Sequence, residues 1–293
     1  MIVESDSVRY TFSGHDSFQC RQLWLKKGYD FIKDGHSFSN EDAVVRLGVG
    51  KNMVSSIRYW MKAFNIVDAK EKITEFGERL FDDEEGYDPF LEDDGSLWLL
   101  HYQLVKTGLA SIYSIIFNDF RREKMYFDKD TFGNYMKRRK ETEPNLSFNP
   151  RTLLDDFVVF TKLYQRSETL SDIEDSFSGV LSEIELLKTF GKGKEEQYHI
   201  ESIERNSLPH EVVLFSILEN LEYGSSVSLN SLEFDRNSPG SIFALNRSGL
   251  TGKIQDIVEE NKGITFTDHA GIKELQFKKK PEAYSILDRY YAR

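Results

Sequence analysis

Two short apolar runs at helical spacing, separated by a glycine turn, limit the fold of this chain more than any other feature. The runs are Ala43, Val44 and Leu47, followed by Met53, Val54, Ile57, Trp60, Met61 and Phe64. This spacing predicts two amphipathic helices. The intervening Gly48-Val49-Gly50 predicts a tight turn, and two helices joined in this way are typical of a helix-turn-helix.

The next residues predict a small wing. Asn65-Ile66-Val67 and the segment Lys72–Gly77 have the apolar and β-branched content of short strands, and a Lys-rich turn lies between them. Two such strands complete a winged helix, in which the second helix is the recognition helix.

Charge supports a nucleic-acid role for this segment. No Asp or Glu occurs from Ala43 to Val67, although the whole chain has a net charge of −11. Positive charge is therefore concentrated where a winged helix meets phosphates. We expect the Lys and Arg side chains of this segment to contact DNA phosphates, and its Asn and Ser side chains to reach base edges. The predicted DNA-contacting residues are Lys51, Asn52, Ser55, Arg58, Lys62, Lys70 and Lys72. A winged helix used for protein packing remains the alternative.

Turn-forming residues and changes in composition divide the chain into three predicted regions. Residues 1–120 form the winged helix-turn-helix region with an acidic loop, Asp82–Asp94. Residues 121–170 form a central helix-turn-helix-like helical region, and residues 171–293 form a C-terminal α+β domain. The acidic, Ser-rich stretch Glu168–Asp175 predicts a linker. The fold class is therefore mainly α with small β-wings. Basic residues outnumber acidic ones from Arg121 to Lys140, which indicates either a second nucleic-acid face or a solvated helix surface.

Composition and absent motifs exclude several classes of protein. A chain that is 39% hydrophobic and 30% charged can bury real cores. A single cysteine, Cys20, excludes a disulfide framework and a zinc ribbon. The sequence has no P-loop, dinucleotide fingerprint, HExxH or GxSxG pattern. It also has no recognised nuclease motif, signal-peptide pattern or apolar run of membrane-spanning length, so we expect a soluble cytoplasmic protein.

Two clusters contain residue types suited to catalysis. His15 and Asp16 lie in FSGHDSF, where a histidine beside a carboxylate can act as a general base or metal ligand. The alternative is that Ser13, Asp16 or Ser17 caps the following helix and that His15 is a surface or packing residue. The second cluster is the acidic loop, in which Glu92 and Asp93 are the candidate ligands for Mg²⁺ or Mn²⁺. Asp88, Asp94 and His101 lie close to them in sequence, and a merely solvated acidic loop is the alternative.

Longer motifs then give a resemblance that covers essentially the whole chain. The motifs are FSGHDSF, WLKKGYD, LGVGKNMVSSIRYWMKAF, ITEFG, DPFLEDDGSLWLLHYQL, TLLDDFVVFTKLY, SPGSIFALN, DHAGIKEL and LDRYY. Together they resemble the SspB-like family of bacterial Ssp phosphorothioate-modification and phage-defence systems, which is associated with PAPS-reductase-like genes. The chain departs from that family at Asp16, where the family usually has Glu.

The resemblance implies a DNA-acting, DNA-nicking component of backbone sulfur modification. Together with the winged helix and the acidic loop, it leads to the hypothesis of a DNA-binding, metal-dependent endonuclease. It also implies three partners: a cysteine desulfurase, an ATPase and a PAPS-reductase-like protein. The resemblance assigns no catalytic residues, so His15, Asp16, Glu92 and Asp93 stay the cleavage candidates, with Mg²⁺ or Mn²⁺ as the cofactor. The same family also occurs in BREX-type defence islands, so that setting stays open.

Two other functions compete with the nickase. A non-catalytic winged-helix adaptor that docks modification enzymes on DNA would fit the acidic surface, because protein partners tolerate acidic groups better than DNA does. A transcriptional regulator would leave the two further domains unexplained.

Overall fold

The chain is a mixed α+β protein, and about 51% of its described residues are helical. Residues 10–166 and 178–293 are described by a computed structural model, so the predicted linker Glu168–Asp175 lies outside the described residues. The α-helices of the described residues are α1 (Trp24–Lys33), α2 (Ala43–Leu47), α3 (Lys51–Ala63), α4 (Glu75–Phe81), α5 (Asp94–Thr107), α6 (Ser111–Ile115), α7 (Arg121–Glu123), α8 (Lys129–Thr142), α9 (Pro150–Tyr164), α10 (His210–Leu218), α11 (Leu229–Phe234), α12 (Pro239–Ile242), α13 (Arg247–Glu260) and α14 (Ala283–Tyr291). A π-helical turn, Ile116–Phe120, joins α6 to α7.

Short antiparallel strands form two small sheets. β1 (Lys188–Phe190) pairs with β2 (Gln197–His199). The second sheet contains β3 (Ser226–Ser228), β4 (Ile264–His269) and β5 (Ile272–Phe277) in the order β3-β5-β4. Ala270 and Gly271, both at positive φ, form the β4–β5 turn, as hairpins with two-residue turns require. The sequence Ile264–Phe277 predicts short strands around Asp268-His269-Ala270-Gly271, and the observed hairpin confirms them.

The two helices of the predicted helix-turn-helix are present as α2 and α3. Gly48 follows α2 with a φ of 62°, a left-handed conformation that glycine adopts without strain. α1 packs across α3 at a point of close approach: a Cβ placed on Gly28 would lie 2.7 Å from Sδ of Met61. The helix predictions for this segment are therefore confirmed.

The predicted two-stranded wing is wrong. Val67 and Ile73 form a single antiparallel bridge, and the remainder of the segment predicted as the second strand begins α4. Thr74 is the N-cap of α4, because its Oγ1 accepts a hydrogen bond from the backbone N–H of Gly77. A Cβ on Gly77 would lie only 2.3 Å from the carbonyl oxygen of Ile66. Capping and close packing therefore favour a helix here, despite the strand propensity of ITEF.

α5 is the central helix of the core. Every residue from Gly95 to Val105 is buried, so the helix is enclosed on all sides rather than amphipathic. The buried hydrophobic cluster around it extends from Cys20 near α1 to Leu287 in α14. Apolar side chains from all three predicted regions thus join one core, and the predicted domain boundaries stay a prediction.

The central pair of predicted helices is present as α8 and α9. Asn149 caps α9, and Pro150 occupies its first turn, as the sequence indicates. Several basic side chains of this region pair with acids: Arg138 lies 3.1 Å from Glu123, and Arg139 lies 2.8 Å from Asp119. These pairs favour the solvated-surface interpretation over a second nucleic-acid face. None of the described helices has the length and apolarity needed to cross a membrane.

Candidate functional site

The N-terminal half of α3 presents the exposed face predicted to meet DNA. Lys51, Asn52 and Ser55 are exposed, whereas Val54 and Ile57 face the core. This division follows the helical period, since residues 51, 52 and 55 fall on one side of a helix and 54 and 57 on another. The unpaired backbone N–H groups of the first turn add positive potential to that end. The face is therefore open to a partner of negative charge.

In the second half of this face, the cations are paired with a carboxylate that the sequence analysis missed. Oε1 of Glu71 lies 2.6 Å from Nε of Arg58 and 2.9 Å from Nζ of Lys62. Burial alone would raise the pKa of Glu71, but hydrogen bonds from Lys62 and Arg58 hold it below the ordinary value of a glutamate. Two of the predicted DNA-contacting cations are therefore already paired.

Glu71 reaches both cations because the turn after α3 folds back onto the helix. The residue has a φ of 64°, and its side chain is only 17% exposed. The turn is held by Asp68, whose Oδ1 accepts the backbone N–H groups of Lys70 and Lys72 at 2.8 and 2.9 Å. The side chains of Lys70 and Lys72 stay exposed. In the sequence, the feature that could have indicated this role of Glu71 is its position between Lys70 and Lys72.

His15 is buried, with 2% of its surface exposed, and its carboxylate partner is Asp156 of α9 rather than Asp16. Nε2 of His15 lies 3.1 Å from Oδ1 of Asp156. Neither ring nitrogen makes a hydrogen bond of ordinary geometry within the described residues, so the two side chains are in close contact without such a bond. The ring stacks on Trp60 of α3, with centroids 5.6 Å apart and planes 8° apart.

Asp156 also holds the loop that carries His15. Both of its oxygens accept the backbone N–H of Ser13 at 2.9 Å. Burial, and then the negative charge of Asp156, raise the pKa of Tyr59. A signal for this residue was present in the sequence: Asp156 lies between Leu153 and Phe160 on the apolar face of a helix, where a lone carboxylate needs a partner.

Asp16 takes no part in this buried contact. Its side chain is exposed, and its φ of 46° places it in a tight loop together with Ser13 and Ser17, which also have positive φ. The structure therefore separates the two neighbours in FSGHDSF, burying one and exposing the other. The position of His15 supports the packing alternative, and its part in cleavage stays a prediction.

The acidic loop is organised by its own carboxylates. Asp88 accepts the backbone N–H groups of Glu92 and Asp93 at 2.9 Å each. The sequence predicts the N-cap of α5 at Asp94, Gly95 or Ser96, but the structure places it one residue earlier, at Asp93. Oδ1 of Asp93 accepts from the N–H of Gly95 and from the hydroxyl of Tyr290. Glu92 is exposed. Two of these carboxylates therefore have structural partners, and Glu92 has an open carboxylate.

His101 does not join the acidic loop. Its Nδ1 lies 2.8 Å from the hydroxyl of Tyr164, and its Nε2 lies 2.8 Å from the carbonyl oxygen of Ile242. A carbonyl can only accept, so Nε2 carries the proton and Nδ1 accepts from Tyr164. Burial lowers the pKa of His101 to about 3. The imidazole is thus neutral and fully engaged in the core.

The predicted cleavage residues of the acidic loop lie apart from those of FSGHDSF in the contacts of the described residues. Within residues 10–166 and 178–293, no hydrogen bond or ion pair joins His15 or Asp16 to Glu92 or Asp93. In the same part of the chain, Glu92 and Asp93 do not form a three-ligand cluster. Asp94, their neighbour, has a raised pKa because of burial and the charges of Asp93 and Glu183.

The protein family of unknown function DUF4007 matches residues 12–291. The chain belongs to the DUF4007 family. No protein with a curated description matches it.

Two crystal structures of SspB, one of them bound to a magnesium ion, are similar to this DUF4007 chain. Each is 26% identical to it and covers 96% of this chain, while the match covers 88% of each SspB chain. The TM-scores are 0.85 for the magnesium-bound structure and 0.84 for the other. The SspB-like relationship predicted from the motifs is therefore confirmed.

Proposed function

We propose that this DUF4007 protein is a DNA-binding, DNA-nicking component of a phosphorothioate-modification and phage-defence system. The observation that carries the proposal is the similarity to SspB over 96% of the chain. The sequence motifs carry the same resemblance independently of the fold. The partners of such a component would be a cysteine desulfurase, an ATPase and a PAPS-reductase-like protein, together with double-stranded DNA.

The DNA contact in this proposal depends on the exposed part of the α3 face. Lys51 supplies a phosphate contact, and Asn52 and Ser55 supply hydrogen-bonding groups for base edges. Lys70 and Lys72 extend the positive surface into the neighbouring turn. Arg58 contributes less per charge, because it is already paired with Glu71.

A DNA-binding experiment separates these contributions. We expect Lys51→Gln to weaken binding of a short duplex and to lower the salt slope by about 1, and Arg58→Gln to have a smaller effect. Fluorescence anisotropy over a series of salt concentrations measures both quantities. Unchanged binding in the Lys51→Gln/Arg58→Gln double variant would reject the α3 face as the DNA contact.

The cleavage part of the proposal uses the acidic loop. Glu92 offers an open carboxylate, and both described hydrogen bonds of Asp93 fall on Oδ1, which leaves Oδ2 as a ligand atom. Carboxylate oxygens are the ligands that Mg²⁺ and Mn²⁺ take, so these residues fit such an ion. An ion bound there would stabilise the negative charge that develops on a phosphodiester under attack.

A supercoiled-plasmid assay tests cleavage directly. We expect conversion to open circles that requires Mg²⁺ or Mn²⁺, stops with a chelator and is lost in Glu92→Gln. Glu85→Gln is the matched control, because Glu85 is also exposed in the acidic loop. His15→Gln, compared with the wild type for stability as well as cleavage, shows whether the buried imidazole acts in the reaction.

A non-catalytic adaptor is the second candidate, and the burial of His15 favours it. A general base must reach the proton that it removes, yet His15 has only 2% of its surface exposed and is stacked on Trp60. If plasmid DNA is retarded in a gel at low salt but never nicked, the adaptor is the better account of this protein.

A further inference from the structure

Three ligand-type side chains from two helices converge at a site outside the acidic loop. His210 and Glu211 are in the first turn of α10, and Glu260 is the last residue of α13. Nε2 of His210 lies 3.2 Å from Oε2 of Glu260, and Nδ1 of His210 lies 3.4 Å from Oε2 of Glu211. One nitrogen and two carboxylate oxygens lie within 4.8 Å of one another.

Glu211 is the buried member of this cluster, with 5% of its surface exposed. Its Oε1, like Nε2 of His210, makes no hydrogen bond of ordinary geometry among the described residues. A buried carboxylate without hydrogen bonds is costly unless a cation lies beside it. The cluster thus contains two buried polar atoms that lack the hydrogen bonds such atoms usually have.

Arg293 supplies positive charge to the cluster. Its Nη1 lies 2.8 Å from Oε1 of Glu211, outside hydrogen-bonding geometry, and its Nη2 donates to Oε2 of Glu260 at 2.9 Å. The Arg293 side chain is 56% exposed, whereas that of Glu211 is 7% exposed. An exposed guanidinium can swing into solvent and leave the buried carboxylate to another cation.

We propose that His210, Glu211 and Glu260 bind a divalent transition-metal ion, Zn²⁺ or Mn²⁺, in competition with Arg293. One imidazole and two carboxylates form a mixed nitrogen and oxygen ligand set of the kind those ions accept. Mg²⁺ is disfavoured because it prefers oxygen ligands and retains its water.

The spacing fits this ligand set. With metal–ligand bonds of about 2.0–2.2 Å, neighbouring ligand atoms of a tetrahedral ion are about 3.3–3.6 Å apart. Each ring nitrogen of His210 is near this distance from one carboxylate oxygen: Nε2 lies 3.2 Å from Oε2 of Glu260, and Nδ1 lies 3.4 Å from Oε2 of Glu211. An ion binds only one of these nitrogens, and the three ligand atoms then lie within 4.8 Å of one another, so the wider spans close by side-chain adjustment. Glu260 is half exposed, so a water molecule can complete the coordination.

Titration of the metal-free full chain with Zn²⁺, and separately with Mn²⁺, in a calorimeter tests the site. We expect Glu260→Gln to weaken binding by at least the roughly 10–100-fold that loss of an outer-shell partner causes. Arg293→Gln should bind more tightly than the wild type, because the competing cation is gone. Glu259→Gln is the matched control, since Glu259 is exposed on the same turn of α13 but outside the cluster.

Two results would overturn the proposal. One is that neither the wild type nor Arg293→Gln binds Zn²⁺ or Mn²⁺; the other is that Glu260→Gln binds as tightly as the wild type. Circular dichroism of metal-free Glu260→Gln and His210→Gln shows whether each variant is folded. No DNA is present in the experiment, so a negative result leaves the proposed DNA function untouched.

Discussion

Nε2 of His15 lies 3.1 Å from Oδ1 of Asp156, and the two residues are 141 positions apart in the chain. The pair joins the loop before α1 to α9, while Trp60 of α3 stacks on the imidazole. Asp156 also accepts the backbone N–H of Ser13. The helix-turn-helix segment and the central helices are therefore connected through one buried polar contact.

Asp156→Asn should destabilise the protein by about 1–3 kcal/mol, because the substitution removes the charge beside His15 and one of the oxygens that hold Ser13. Urea unfolding followed by circular dichroism measures the loss. Asp155→Asn is the matched control, since Asp155 is exposed on the same helix and its substitution should change the free energy of unfolding by less than about 0.5 kcal/mol. Equal stability of the two variants would show that the buried contact is not important for folding.

Glu71→Gln should tighten DNA binding, because Arg58 and Lys62 become available for phosphates. The slope of log K against log salt concentration should become steeper by about 1–2. Anisotropy titrations at several salt concentrations give both quantities. Glu84→Gln, which makes the same change of charge in the acidic loop, should alter binding much less. Weaker binding by Glu71→Gln would mean that Glu71 holds the turn in place rather than masking the cations.

Asp93→Ala should lower the free energy of unfolding by about 1 kcal/mol, because it removes the N-cap of α5, whereas Asp93→Asn should be close to the wild type. Denaturant unfolding distinguishes the two variants. If Asp93 also holds the metal of a nickase, then Asp93→Asn should remain stable and lose plasmid nicking. Full nicking by this stable variant would remove Asp93 from the metal site.

His101 should make the protein less stable below neutral pH. Its folded pKa of about 3 lies below the unfolded value of about 6.5. Between these values the unfolded chain binds a proton that the folded chain does not, so stability falls as the pH is lowered. From pH 7 to pH 5, the contribution of this residue is a loss of about 2 kcal/mol.

Comparison of the wild type with His101→Gln isolates that contribution from the other titrating groups. The variant should be less stable at pH 7 and should lose less stability between pH 7 and pH 5. Nitrogen-15 NMR of the wild-type imidazole should show the neutral form, protonated on Nε2, throughout this range. Protonation of His101 near its unfolded pKa would contradict the prediction.

Local features of the fold were predictable because each is contained in a few neighbouring residues. Gly48 and Gly50 mark the turn between α2 and α3, and Asn149-Pro150 marks the start of α9. The prediction of a second wing strand was wrong for a local reason too. β-branched residues favoured a strand there, but Thr74 caps a helix. Propensity is a weak guide where a cap and close packing act together.

The candidate site was less predictable, since its contacts cross the chain. The pattern of α3 correctly separated exposed Lys51 from the buried core, but it gave no sign that Glu71 would fold back onto Arg58. The sequence analysis also paired His15 with its neighbour Asp16, although the side chains of adjacent residues in a tight loop commonly point apart. The DNA contact and the cleavage role stay predictions.

The sequence by itself determined the helical segments, their turns and the exposed face of α3, because backbone propensity and hydrophobic period act over a few residues. It also determined the resemblance to SspB. Only the tertiary structure decided which charges are paired and which histidines are buried, as His15 and Asp156 show. Such contacts depend on how distant segments pack, and burial then fixes which side chains are neutral, paired or open to a ligand.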